Sequence, residues 1–233
     1  MQILKLLGAH QSTGLSALEI VSATGEERSA VQRSLSGLMQ EGLAERGPSL
    51  HRWRLGVEAM HLGRATLFES PLTAKYRFAL QALARKTGDT VYLGVRLGDF
   101  VLCLHREEGS SAVRSARTRI GDLVPLGITA GGVAILGNMK DDDIAVLYHR
   151  HALGFEAARL NLAGLHRRIA VARRNGYAVI TDGVSEGASG IGIGLGDGEP
   201  FATVSIGTAT ARLGSGRAQE LHALLRKLAE SSG

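Results

Sequence analysis

Apolar residues recur at helical spacing in three short segments near the start of the chain. The first is MQILKLLGAH, and the second, GLSALEIVSATG, contains the capping-box pair Ser16 and Glu19 that starts a helix. The third lies within residues 24–42 and places four apolar side chains on one face, namely Val31, Leu35, Leu38 and Met39. The spacing therefore predicts three helices, each closed by a glycine.

A short basic hairpin is predicted after these helices. The segment LAERGPSLHRWRLG has two strand-like pieces around the turn residues Gly47-Pro48-Ser49. Two helices separated by a Thr-Gly turn and followed by such a hairpin are typical of a winged helix-turn-helix. We therefore predict a winged helix-turn-helix domain over residues 1–56.

The next helical segment, GVEAMHLGRATLFES, predicts a linker helix over residues 57–70, because a Ser-Pro pair ends it. Its apolar Met60, Leu62 and Leu67 need burial. They are candidates for contact with a second copy of the chain, and the alternative is that they pack on their own domain.

The pattern over residues 71–233 mixes helical and strand periods. Strand patterns occur in TVYLGVRLGDFVLCLHRE (a hairpin with its turn at Leu97-Gly98-Asp99), AVRSART, YAVITDG, SGIGIGLG and FATVSIGTA. Helical patterns occur in LTAKYRFALQALARKTG, DDDIAVLYHR, NLAGLHRRIAVARRNG and GRAQELHALLRKLAESS, and PLGITAGGVAILGNM reads as a loop entering a helix. Strands in two blocks with helices between and around them predict an α+β fold rather than a regular βαβ alternation.

Composition narrows the possible functions only slightly. The chain has 233 residues, enough for two domains, and its net charge of +5 permits nucleic-acid binding without requiring it. Residues 1–64 carry seven basic and six acidic side chains, so a DNA-binding prediction depends on where the arginines lie.

The single cysteine, Cys103, excludes an intramolecular disulfide and a cysteine-based zinc site. No apolar run approaches the roughly 20 residues that span a bilayer, so we expect a cytoplasmic protein with no membrane partner.

The third helix carries side chains suited to DNA on its outer side. The second helix of a helix-turn-helix enters the major groove, where Arg pairs with guanine and Gln with adenine. A solvated surface is the alternative, since both residue types are ordinary there. Glu26 and Glu27 are expected in the first turn, where they suit the helix dipole but repel phosphate. The predicted groove contacts are Arg28, Ser29, Gln32 and Arg33.

The hairpin supplies predicted contacts to the DNA backbone. Its basic residues are His51, Arg46, Arg52 and Arg54. Ser16, the N-cap of the second helix, completes the predicted DNA-contact set.

Other motifs give weaker indications of chemistry. GIGIGLGDG resembles a phosphate loop, but its alternating apolar residues favour a strand that turns at Asp197-Gly198, with glycines that make room for a ligand or for close packing. His149 and His151 have no third ligand nearby, so a helix end is favoured over a metal site. Cys103 lies mid-strand and is expected to be buried and inert. Nothing in these motifs predicts catalysis, a cofactor or a metal.

Taken together, the segments resemble those of the IclR family of bacterial transcriptional regulators over essentially the whole chain. GEERSAVQRSLSGL is similar to the family's recognition helix, and RWRLG to the strand before its linker. TGDTVYLGVRLGDFVLCLHREEG, RIGDLVPLGITAGGVAIL, NGYAVITDGVSEGASGIGIGL and FATVSIG are similar to its effector domain. The resemblance implies a GAF-like C-terminal domain that binds a small organic acid or aromatic metabolite. It also implies a homodimer or dimer of dimers on an operator in double-stranded DNA.

The same resemblance implies which residues bind the effector. Carried over by position, they are Val124, Ala130, Gly131, Ile180, Asp182, Gly190, Ser205 and Gly207. The chain departs from the family pattern at Gly127 (usually His), at Gly190 (often Cys) and at Gly207 (often Ser). We therefore expect a roomier and less polar pocket and a bulkier effector, aromatic ones included. Relatives usually carry a leader before the first helix, so a basic arm is expected to be either missing here or naturally absent.

Two other classes of protein remain alternatives to an effector-responsive regulator. One is an enzyme that uses the GAF-like pocket for chemistry, while the N-terminal domain serves only assembly. Such an enzyme would need a nucleophile or an acid–base pair in the pocket, but the matched pocket positions are glycine, alanine, valine and serine. The other is a metabolite-binding module whose third helix no longer holds DNA.

Overall fold

The computed structural model describes residues 2–47, 49, 51–68, 70–111, 118–183, 186–196 and 200–230. Contacts divide the chain into two compact units, Met1–Ser70 and Pro71–Gly233. Nearly all of the predicted strand AVRSART and the predicted turn at Asp197-Gly198 lie outside the described residues. Across the described ranges, no helix is both long and apolar enough to cross a membrane.

The N-terminal unit is a winged helix-turn-helix, as predicted. Its elements are α1 (Gln2–Ala9), β1 (Leu15–Ser16), α2 (Ala17–Thr24), α3 (Arg28–Gln40), β2 (Ala44–Arg46), β3 (Arg52–Leu55) and α4 (Val57–Phe68). The strands form an antiparallel sheet in the order β1-β3-β2. Strand β1 was not predicted, because two residues are too few to show a period. The helices and sheet enclose a small core around Trp53, Leu7, Ile20 and Leu35.

Local hydrogen bonds fix the ends of α2. The Ser16 side chain accepts from the backbone N–H of Glu19, and the Glu19 carboxylate accepts from the Ser16 N–H at 2.6 Å. That backbone donation holds the pKa of the Glu19 carboxyl below its usual value. Gly25 ends the helix in the left-handed region at φ 69°, which glycine adopts without strain.

Two apolar side chains of α2 and α3 lie outside the core, although Met39 is on the predicted apolar face of α3. Val31 and Leu35 of α3 are buried, but Met39 is 46% exposed, and Leu18 of α2 is 65% exposed. The core of the unit therefore covers only part of the apolar side of each helix.

The C-terminal unit is built on one six-stranded sheet in the order β6-β5-β4-β9-β8-β7. Its strands are β4 (Thr90–Leu97), β5 (Phe100–Glu107), β6 (Leu123–Pro125), β7 (Ala178–Ile180), β8 (Ala188–Leu195) and β9 (Ala202–Ala209). Its helices are α5 (Pro71–Thr87), α6 (Ala130–Leu136), α7 (Asp141–Arg150), α8 (Ala152–Ala157), α9 (Leu162–Asn175) and α10 (Ser215–Glu230), with a 3-10 turn at Thr210–Arg212. Every neighbouring pair of strands is antiparallel, which confirms the α+β prediction. Strand β6 and helix α8 were not predicted.

Helices cover both faces of this sheet. Helices α5 and α10 pack on one face through Leu80, Leu83, Leu221 and Leu225. Helices α6 to α9 form a second core around the other face. Side chains on that second face that are not covered by α6 are left to line an internal space.

Candidate functional site

The outer side of α3 presents the predicted DNA-contact residues to solvent. All four are exposed, namely Arg28, Ser29, Gln32 and Arg33. Val31 and Leu35 lie on the opposite side and are buried in the core of the unit. The helix is therefore held by its apolar side and leaves its donor groups free to meet a partner.

The two glutamates before α3 are not in its first turn, contrary to the prediction. The helix begins at Arg28, Glu27 is its N-cap, and the Glu27 side chain makes no capping hydrogen bond. Both Glu26 and Glu27 are exposed beside the N-terminus of α3. They lower the positive potential at the tip of the helix without stabilising its first turn through a hydrogen bond.

Arg52 of the hairpin is bound into its own unit. Its guanidinium donates to the carbonyls of Thr13 at 2.9 Å and Gly14 at 3.0 Å, and to the carboxylate of Glu19 at 3.2 Å. Because Glu19 also accepts from Ser16, this one arginine connects the hairpin to the start of α2. Sequence reasoning missed these contacts, since the partners lie more than thirty residues away.

The other two hairpin arginines contact residues of the hairpin itself. Arg54 makes an ion pair of 2.6 Å with Glu45 on the adjacent strand. The Arg46 guanidinium lies 3.8 Å from the ring centroid of the buried Trp53, a cation–π contact. His51 is exposed at the turn.

The linker helix α4 leaves apolar side chains uncovered. Val57, Met60 and Leu62 are 66%, 70% and 51% exposed. The alternative that Met60 and Leu62 pack on their own domain is therefore wrong. The side chain of Leu67 lies outside the described part of the chain.

In the C-terminal unit, a cavity of about 100 Å³ lies on the sheet face that α6 partly covers. Seven of the eight predicted effector residues line it, namely Val124, Ala130, Gly131, Ile180, Gly190, Ser205 and Gly207. The structure thus brings together residues from β6, α6, β7, β8 and β9. The role of these residues in binding an effector stays a prediction.

Asp182 is the predicted effector residue that does not line the cavity. Its Oδ1 accepts from the N–H of Gly187 at 2.8 Å and from the hydroxyl of Thr210 at 2.7 Å. The Thr210 hydroxyl in turn lies 2.8 Å from that of Ser189, which is on the cavity wall. Asp182 therefore contacts the wall residue Ser189 indirectly, through the hydroxyl of Thr210.

The three departures from the family pattern do not all enlarge the cavity, contrary to the prediction. Gly127 is not on its wall, and a Cβ atom there would lie 2.6 Å from Cδ1 of Leu165. A Cβ at Gly207 would lie 3.2 Å from Cε2 of Tyr92. Only Gly190 has room, since a Cβ there would lie 3.4 Å from the Ile206 carbonyl oxygen, an ordinary contact.

Other glycines on this face serve close packing instead. A Cβ at Gly192 would lie 2.8 Å from the backbone nitrogen of Gly131, so α6 rests directly on the strand. A Cβ at Gly131 would lie 2.6 Å from the Thr203 hydroxyl. The alternating glycines of β8 therefore both open a cavity and seat a helix.

Tyr92 and Cys103 are among the wall residues that sequence reasoning missed. Burial raises the pKa of the Cys103 thiol to about 11, which agrees with the predicted inert cysteine. A register shift at Leu93 and Gly94 turns Cys103 towards the same face as Tyr92. The described wall residues include no charged side chain.

One wall residue connects the cavity to a buried ion network. Thr208 donates at 2.8 Å to Asp89, whose side chain is fully buried. The Asp89 carboxylate also binds Arg212 at 3.0 Å and Arg217 at 3.4 Å. Both arginines donate in addition to the carbonyl of Thr87, the last residue of α5.

The histidines near the end of α7 have no metal-site geometry. His151 lies 2.9 Å from an oxygen of Asp99 in the β4–β5 turn, and Arg150 binds the same oxygen. Within the described ranges, no group of three or more His, Cys, Asp or Glu side chains could hold a metal.

Two family models match the chain. The IclR helix-turn-helix domain matches residues 1–48, and the C-terminal domain of the bacterial transcriptional regulator IclR matches residues 64–232.

The chain belongs to the IclR family.

Relatives of this IclR-family chain are transcriptional regulators. The regulator XynR of Escherichia coli is 25% identical over 217 residues, which cover 91% of this chain and 85% of XynR. The repressor IclR of the same species is 25% identical, with 94% of this chain and 82% of IclR covered. The glycerol operon regulatory protein of Streptomyces coelicolor is 29% identical, with coverage of 89% and 82%. These findings favour DNA binding over a domain that serves only assembly.

Solved structures of the family share the fold. An IclR-family regulator from Brucella abortus matches with a TM-score of 0.78 at 18% identity, covering 99% of this chain and 89% of that one. An IclR homolog from Microbacterium hydrocarbonoxydans, complexed with 4-hydroxybenzoate, matches with a TM-score of 0.66 at 18% identity, covering 98% and 94%.

Proposed function

We propose that this IclR-family chain binds an operator through the outer side of α3 and responds to a small molecule in the cavity of its C-terminal unit. The observation that carries the proposal is the division of α3 into a buried apolar side and an exposed donor side. Arg33 and Gln32 have the chemistry that reads guanine and adenine in the major groove. Acting on DNA, the protein works in the cytoplasm.

The hairpin contributes unequally to DNA contact in this proposal. Arg46 and Arg54 bind phosphates, because their contacts lie within the hairpin and a phosphate can replace or join them. Arg52 positions the hairpin against α2, since its Nε and Nη2 groups already donate to Thr13, Gly14 and Glu19. Ser16 has the same supporting role through the capping box.

The cavity binds a compact organic acid or aromatic metabolite. Its wall is mostly apolar, with hydroxyl groups at a few points, which is the usual character of a small-molecule site. The 4-hydroxybenzoate bound to the Microbacterium homolog is an example of this chemical class. Effector binding shifts operator affinity by a coupling free energy of about 1–3 kcal/mol, the usual scale of allostery.

The functional unit is a homodimer or dimer of dimers that uses α4 as a contact between copies. The exposed Met60 and Leu62 support this part of the proposal, because apolar side chains of this size are normally covered in an assembly. No catalysis is proposed, since the described cavity wall offers a thiol and hydroxyls but no acid or base.

Fluorescence anisotropy tests the DNA-binding proposal. The purified protein is titrated onto labelled DNA from upstream of its own gene and from the rest of its operon, with scrambled duplexes of equal length as controls. Specific affinity should exceed nonspecific affinity by about 10³-fold or more. Equal, weak binding to all duplexes, native and scrambled, would contradict the proposal.

A further inference from the structure

The cavity wall has a gap where two glycines lie side by side. Gly207 of β9 pairs directly with Gly190 of β8, and on its other side with Thr90 of β4. Side chains at directly opposed positions of an antiparallel pair are about 4.5–5.5 Å apart. Two missing side chains at one pair therefore leave a continuous opening in this face of the sheet.

Tyr92 fills only one half of that opening. A Cβ at Gly207 would lie 3.2 Å from Cε2 and 3.9 Å from Oη of Tyr92, so the ring lies over Gly207. A Cβ at Gly190 would meet only the Ile206 carbonyl oxygen at 3.4 Å and Cβ of Ala130 at 3.6 Å. The space above Gly190 therefore stays open, and the ring forms its boundary.

The same ring places a hydroxyl group on a wall whose described residues carry no charged side chain. Tyr92 pairs across the strands with Ser205, so their side chains lie on the same face of the sheet. Burial raises the pKa of Tyr92 above its usual value, so the phenol remains a donor. Arg106 pairs with Tyr92 on its other side, with its guanidinium carbon 6.0 Å from the ring centroid.

We propose that Tyr92 determines the size limit of the effector, because its ring occupies the place of a side chain at position 207 and bounds the space above Gly190 that the ligand fills. This inference rests on the proposed effector role of the cavity. The phenol and the Ser205 hydroxyl donate to acceptor oxygens at one end of the ligand. The ligand is therefore a compact acid or carbonyl compound whose apolar body lies over Gly190.

The test measures calorimetric binding of pyruvate, benzoate and 2-naphthoate to the full chain without DNA. These acids share one carboxylate and differ in body size. In Tyr92→Ala, the ratio of 2-naphthoate to pyruvate association constants should rise at least about tenfold over the wild type, since one methylene changes discrimination by about 10–200-fold. Tyr92→Phe should keep the wild-type ratio and weaken all acids that bind. Tyr92→Leu repeats the size test if the alanine variant does not fold.

A double-mutant cycle tests whether Tyr92 and position 207 share one space. Gly207→Ser should weaken benzoate at least fivefold when Tyr92 is present and less than twofold in Tyr92→Ala. Gly190→Leu is the site control and should abolish binding of every acid. Ile191→Leu, which faces α10 from the adjacent position, is the matched control and should leave binding unchanged.

Several outcomes would overturn the assignment of Tyr92. They are an unchanged ratio in Tyr92→Ala, an equal cost of Gly207→Ser in both backgrounds, binding that survives Gly190→Leu, and no binding of any acid to any variant. Operator binding is measured separately by anisotropy, so these outcomes leave the DNA-binding proposal untouched. Loss of specific operator binding in the wild type would instead count against the proposed function.

Discussion

The arginines of α3 and those around Asp89 show two different uses of the same side chain. Arg28 and Arg33 lie exposed on α3 above a buried apolar side. Arg212 and Arg217 in the C-terminal unit bind a fully buried carboxylate and a helix-ending carbonyl. An arginine in a sequence is therefore evidence of DNA binding only when the structure does not already bind its guanidinium to a buried group of the protein.

Removing Asp89 should have the largest effect on stability. Asp89→Ala leaves two guanidiniums without their carboxylate, and breaking a buried pair costs about 3–5 kcal/mol. We expect the free energy of unfolding to fall by an amount near the lower end of that range, because the Arg212 side chain is 36% exposed. Urea unfolding followed by far-UV circular dichroism measures it.

Glu220→Ala is the matched control for that change. It removes the surface partner of Arg217, whose pair with Glu220 is 55% exposed on the glutamate side, and should cost less than about 1 kcal/mol. Equal losses in the two variants would show that the Asp89 network does not stabilise the unit.

Removing an exposed arginine of α3 should lower operator affinity and leave the free energy of unfolding unchanged. Arg33→Ala removes a predicted base contact and should weaken specific operator binding by about 1–3 kcal/mol. The measurement is anisotropy on the operator duplex. Arg174→Ala, an exposed arginine of the C-terminal unit, is the control and should bind like the wild type. An equal loss in both variants would mean that only net charge matters.

Replacing Arg46 should give the smallest change in the free energy of unfolding, because a cation–π contact at an exposed side chain contributes less than a buried ion pair. Its stacking on Trp53 stabilises the N-terminal unit by about 0.5–1 kcal/mol. Arg46→Ala should lower the urea midpoint of Trp53 fluorescence, which reports on this unit since Trp53 is the sole tryptophan. Arg46→Lys keeps the charge but loses the planar group, so a midpoint equal to that of wild type would contradict a stacking contribution.

Local patterns of the sequence predicted much of the fold. The capping box joins Ser16 and Glu19, which are three positions apart, and Val31 and Leu35 are separated by about one helical turn. Both are set by chain neighbours, so the helices and the exposed side of α3 follow from the pattern. Strand β1 escaped prediction because its two residues are defined only by their pairing with β3.

The cavity could be located from the sequence, but its shape could not. Resemblance placed Gly190 and Gly207 on the wall, yet the space at Gly207 depends on the ring of Tyr92, which another strand supplies. Gly127 departs from the family pattern without touching the cavity, because Leu165 from α9 fills the adjacent space. These relations depend on strand register and helix placement, which spacing along the chain does not reveal.

Arg52 offers the most direct test of where the DNA surface lies. Operator affinity is measured against salt for the wild type, Arg54→Ala and Arg52→Ala, two residues apart on β3. Each lost phosphate contact reduces the slope of log affinity against log salt by about 1. We predict that reduction for Arg54→Ala, and for Arg52→Ala an unchanged slope with a lower urea midpoint of Trp53 fluorescence. A reduced slope with an unchanged midpoint in Arg52→Ala would contradict the account, because Arg52 would then contact DNA rather than hold the hairpin in place.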